Sequence, residues 1–154
     1  MKRVLSLFVI ASSIASLHVG VAFAGAGPDL AVKRVTSNVA SAQTGERVVF
    51  KAYAVNLGLG SSELDVQFQD ARHLTVIREE CIVPRSETGD FSQPSPDTPG
   101  CEFSSVPELD YAIVKVVATV TGSAPQKAKL TFCTYNDPVN PGNDCKIGRV
   151  QITG

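Results

Sequence analysis

From Pro28 onward the chain is dominated by a period of two, the spacing that places successive side chains on opposite faces of a β-strand. The run "YAIVKVVATV" is a clear example. Ala112, Val114, Val116, Ala118 and Val120 face one way, and Ile113, Lys115, Val117 and Thr119, with Thr121 just beyond the run, the other. "GERVVFKAYAVN" repeats the pattern with Val48, Phe50, Ala52 and Ala54 on one face. "SELDVQFQD" sets Leu64, Val66 and Phe68 against Asp65, Gln67 and Gln69, and "DLAVKRV" puts Leu30 and Val32 on one side. With "KAKLTFCTY" and "CKIGRVQI", these runs predict about seven strands separated by Gly, Pro, Asn and Asp turns. No helical stripe competes, so the expected fold is all-β, an Ig-like antiparallel β-sandwich. The glycines of "VNLGLGSS" (55–62) predict a chain reversal, and "NDPVNPGND" (136–144) predicts a capped hairpin.

The first residues read as an address. Lys2 and Arg3 precede a serine-diluted apolar run, and Ala22-Phe23-Ala24 is the small-x-small pattern that signal peptidase accepts. Residues 1–24 are therefore expected to be a signal peptide cleaved after Ala24, leaving one domain over 25–154 that is secreted, extracellular or periplasmic. Cleavage leaves twelve basic against fifteen acidic residues, a net charge of −3. A weakly acidic, mixed-sign chain argues against nucleic acid as a partner, and no later segment is apolar and long enough to insert in a membrane.

Cys81, Cys101, Cys133 and Cys145 all lie beyond the leader. In an exported chain an even number pairs by default, and Cys81–Cys101 with Cys133–Cys145 is the favoured connectivity, because each pair flanks a turn-rich segment and would cross-link neighbouring strands. The spacing matches neither a zinc-thiolate site nor a redox-active dithiol.

Catalytic chemistry has little to work with. His18 leaves with the leader, so His73 is the one remaining imidazole, and no Gly-x-Ser-x-Gly elbow presents a nucleophile. Glu79 and Glu80 are adjacent, and in a strand would point to opposite faces. The weak candidate for a hard cation such as calcium is the oxygen-rich set Asn136, Asp137, Asn140, Asn143 and Asp144. Its spacing fits no EF-hand loop, and tight turns select the same residue types. No cofactor or metal is expected, and no enzyme.

Two surfaces are binding candidates instead. The proline-rich loop over 82–100, based on the first cysteine pair, could present Arg85 or Phe91 to a partner as a protease-inhibitor-like or carbohydrate-binding element. The other is an apolar patch or open edge formed by outward Val49, Tyr53 and Val55 and by the last strand "RVQITG".

Asp29-Leu30-Ala31-Val32, Thr44-Gly45-Glu46, Val55-Asn56-Leu57-Gly58, a cysteine pair before the long alternating strand, and Asn140-Pro141-Gly142-Asn143 occur in an order that resembles the bacterial extracellular Ig-like conserved-repeat domains related to CARDB adhesion modules. The resemblance spans nearly all of the mature chain and implies a sandwich without catalytic residues, serving cell-surface interaction or structural support. Its partners would be an extracellular protein or polysaccharide.

Overall fold

The computed structural model describes residues 29–83, 99–135 and 144–154. These form nine strands: β1 (Leu30–Ser37), β2 (Ser41–Gln43), β3 (Arg47–Asn56), β4 (Ser62–Arg72), β5 (Leu74–Ile82), β6 (Gly100–Val106), β7 (Tyr111–Val120), β8 (Lys127–Tyr135) and β9 (Cys145–Thr153). One sheet has the order β1-β3-β7-β5 and the other β2-β9-β8-β4-β6. All pairings are antiparallel except β2 with β9. The chain is an all-β, Ig-like sandwich. β1, β3, β7 and β5 occupy the A, B, E and D positions of that layout, and β4, β8 and β9 the C, F and G positions. Its order departs in one respect, since the chain crosses to β5 in the first sheet before β6 returns to lie beside β4.

Nine strands replace the seven expected, for two physical reasons. β2 spans three residues, too few to show any period. β5 lacks clean alternation because its register shifts between Val76 and Arg78, where a bulge leaves Ile77 exposed. The reversal expected at 55–62 is a crossing between sheets, since β3 and β4 lie in different layers. Gly60 makes that turn with φ of +78°, a conformation that costs a glycine little.

The predicted faces pack as read. Val48, Phe50, Ala52 and Ala54 of β3, the alternating Ala and Val residues of β7, and Leu64, Val66 and Phe68 of β4 are all buried. The small Ala and Val side chains of the first sheet share one buried cluster with Phe103, Leu130 and Phe132 of the second. Burying each large apolar side chain contributes about 1.5–3 kcal/mol, so this aliphatic layer is the main source of stability. Close approach also needs Gly148 on β9, where an added Cβ would lie 2.6 Å from Phe50 Cδ1.

Asn56 fixes the end of the sandwich at which β3 stops. It is fully buried, and its Nδ2 donates to the carbonyls of Gly60 (2.8 Å) and Val106 (3.0 Å) while Oδ1 accepts from the Gly58 amide (3.0 Å). Its backbone oxygen accepts from the Leu109 amide and its amide donates to the Asp110 carbonyl. One side chain thus ties the β3–β4 loop to the turn that launches β7.

Both expected disulfides are present. Cys133 and Cys145 are direct register partners on adjacent strands, with Cα atoms 4.1 Å apart. Cys81–Cys101 spans 5.8 Å between Cα atoms and does not join hydrogen-bonded neighbours as expected. It links β5 and β6, the edge strands of opposite sheets, and closes one side of the sandwich.

Candidate functional site

The outer face of the four-stranded sheet carries the most distinctive chemistry. Antiparallel register places Arg34 of β1 opposite Tyr53 of β3, and Val55 of β3 opposite Tyr111 of β7. A bulge between Val32 and Arg34 inserts Lys33 as an extra residue on the edge strand, so two consecutive cations reach the same face. Lys33, Arg34, Tyr53, Val55 and Tyr111 line a shallow depression of about 340 Å³.

Geometry within it is specific. The Arg34 guanidinium lies over the Tyr53 ring, 4.1 Å from the centroid, where the negative ring face attracts the cation. The Tyr53 and Tyr111 rings are 6.3 Å apart between centroids and tilted by 41°. The two phenols form an angled apolar floor with hydroxyl rims, and Lys33 and Arg34 add fixed positive charge on one side.

The same face continues basic. Alternation turns Arg47 and Lys51 outward on β3, Lys115 on β7 and Arg78 on β5. Glu80 of β5 is the acid among them. It pairs with Arg78 and with Lys115, whose ammonium sits 2.9 Å from its carboxylate. The Lys115 hydrogen bond holds the Glu80 carboxyl below its ordinary value. Among the described residues no carboxylate forms an ion pair with Lys33, Arg34, Arg47 or Lys51.

Other residues singled out from the sequence fall elsewhere. Glu79 and Glu80 do point to opposite faces. Glu79 opposes the core residue Val116, and burial raises its proton affinity while a hydrogen bond from the Gly100 amide opposes the shift. Glu79 Oε2 is buried with no hydrogen-bond partner among the described residues. His73 sits at the corner between β4 and β5 with φ of +58°. Its carbonyl accepts from the Thr121 amide and its ring packs against Gly122, a structural position.

The last strand is not the open edge that "RVQITG" suggested, because β2 pairs with Gln151, Ile152 and Thr153. Of the outward trio, Tyr53 and Val55 enter the depression, whereas Val49 lies further along β3 opposite Val117. Arg85, Phe91, Asn136, Asp137, Asn140 and Asn143 lie outside the described residues. Asp144 is described, and its carbonyl accepts from the Thr134 amide at the root of β9. No group of three His, Cys, Asp or Glu side chains that could hold a metal ion occurs among the described residues.

Lys33, Arg34 and Tyr111 were not singled out from the sequence. Adjacent Lys33-Arg34 inside a strand was the available signal, since two consecutive charges break the alternation where a bulge lies. Tyr53 and Tyr111 are far apart in the chain, and only the β3–β7 register brings them together. No protein-family profile matches the chain, and no curated protein matches it in sequence.

Proposed function

We propose that the protein is a non-enzymatic, exported sandwich module that holds an extracellular partner, protein or polysaccharide, through the outer face of its four-stranded sheet. One observation carries this reading: two tyrosines and two cations from three strands converge on a single open depression, whose floor strands β3 and β7 are each paired on both sides. Side chains on regular strands are positioned by the whole fold, so a constellation built there binds with little ordering cost. The lining offers apolar ring faces and permanent positive charge, chemistry suited to holding a ligand. Two disulfides are compatible with an extracellular or periplasmic location, in keeping with the expected leader.

Fluorescently labelled mature protein, residues 25–154, tests the reading on its native cell surface. The wild type is expected to be retained, and Arg34→Glu or Tyr53→Ala to be released at least tenfold more readily. Equal retention of both variants, with unchanged circular dichroism, contradicts it.

A further inference from the structure

We propose that the depression formed by Arg34, Tyr53 and Tyr111 accommodates a carboxylated polysaccharide, a chain of uronate-type sugar rings. This rests on the outer face of the four-stranded sheet being the binding surface and adds the chemical class of what binds there.

Main-chain pairing decides first against an extended peptide. β3 is bonded to β1 on one side and to β7 on the other, and β7 to β3 and β5. No backbone donor or acceptor at the floor is left to extend the sheet, and on the open edge of β1 the Lys33 bulge interrupts the regular ladder an added strand would need, so recognition there runs through side chains. A ligand recognised by phenol rings and a guanidinium must present a flat C–H surface and an anionic group close to it. A pyranose ring presents both when it carries a carboxylate: its C–H face is slightly positive and meets the negative ring face of Tyr111, that of Tyr53 being taken by Arg34, and its hydroxyls reach the phenol hydroxyls. The carboxylate is matched by the planar donor fork of Arg34, which its stacking on Tyr53 holds in place, and by Lys33.

Charge distribution extends the match from one ring to a chain of them. Arg47 and Lys51 continue the positive surface along β3 away from the depression, while Lys115 on β7 is offset by its ion pair with Glu80. The mature chain nonetheless carries a net charge of −3, so the rest of the molecule is net negative. A polyanion is therefore attracted to this face and repelled from the others, which orients its approach. A neutral glycan could take hydrogen bonds from Lys33 and Arg34 but would lose the charge pairing, the stronger part of that contact. Nucleic acid shares the anionic character but belongs to a compartment in which disulfides are rarely kept.

The test is isothermal titration of the mature, disulfide-intact protein with polygalacturonate, fully methyl-esterified polygalacturonate, polyglutamate and single-stranded oligodeoxythymidine. Polygalacturonate is expected to bind most tightly. Methyl esterification, which keeps the rings and removes the charge, should weaken binding about tenfold or more, and Arg34→Gln and Tyr53→Ala should each weaken it by about tenfold, the equivalent of one cation–π or charge-assisted contact. Lys129→Gln, on the outer face of the other sheet, should leave it unchanged. Arg34 is exposed on an edge strand, so its replacement is expected to spare the fold even where Tyr53→Ala does not.

Three results overturn the assignment: no binding of polygalacturonate, equal binding of the methyl ester, or binding of polyglutamate or oligodeoxythymidine as tight as that of polygalacturonate. If polygalacturonate fails while Arg34→Glu still releases the protein from cells, the ligand class is wrong and the binding face stands. If it binds and Arg34→Gln changes nothing beyond the Lys129→Gln control, the face itself is wrong.

Discussion

Replacing Asn56 with alanine removes three hydrogen bonds in one step from a fully buried position. The Val106 carbonyl, whose bond is buried, keeps no replacement donor and should cost about 2 kcal/mol. The Gly60 carbonyl and the Gly58 amide are part-buried and can recover some hydration, at about half a kcal/mol each. About 3 kcal/mol in total is a large share of the stability of a domain this size, which is on the order of 5–15 kcal/mol. The melting temperature should fall by on the order of 10 °C. Urea unfolding with the disulfides intact measures it, read as a lower midpoint at unchanged slope. Native-state hydrogen exchange adds a local signature, because the Gly58 amide should lose protection more than amides in the middle of β3. Asn56→Asp should be worse than alanine at neutral pH, since it buries a charge and loses both donors, and should recover partly in acid. A loss under about 1 kcal/mol for Asn56→Ala, or unchanged Gly58 exchange, would refute the view that this side chain holds the two loops together.

Glu79 predicts a pH dependence of known sign. Burial raises its folded-state proton affinity above the ordinary 4.5, so its ionisation destabilises the fold. The penalty is absent below 4.5, grows as the pH climbs through that value and is complete above the raised folded one. Glu79→Gln should therefore raise the melting temperature at pH 7 and leave it nearly unchanged at pH 3.5; a lower value at pH 7 would contradict this. Replacing Cys81 and Cys101 together by serine should cost about 3 kcal/mol by loop entropy alone. Proteolysis should then begin at β5 or β6, and if these strands stay as resistant as the rest, the disulfide is not what closes that side. Gly148→Ala pushes a methyl into Phe50 and Val35 and should cost about 1–3 kcal/mol in urea unfolding, whereas a neutral result would show that the sheets can separate locally.

What the sequence disclosed follows from which forces act locally. Strand faces in β3, β4 and β7 were legible because one face of each is buried, and burial imposes the period of two on residue choice. Asn56 was visible only as part of "VNLGLGSS"; its burial and its bond to Val106 depend on the end of β6, fifty residues away. Cysteine pairing was readable from spacing, whereas the placement of β5 and β6 in opposite sheets was not, because a strand's own pattern does not record which sheet it joins. The binding candidate was half legible. Tyr53 and Val55 stood out as apolar residues on an outward face, but Arg34 reaches them through a bulge and Tyr111 through long-range register, neither of which leaves a periodic trace.

Whether the outer face of the β1-β3-β7-β5 sheet is the binding surface is decided by mapping amide chemical shifts of the mature, isotope-labelled protein during titration with polygalacturonate. Shifts concentrated at Lys33, Arg34, Tyr53, Val55 and Tyr111 and fading across β4, β8 and β9 are the predicted result. Shifts concentrated on the other sheet or along the Cys81–Cys101 side, with those five amides unmoved, would contradict it.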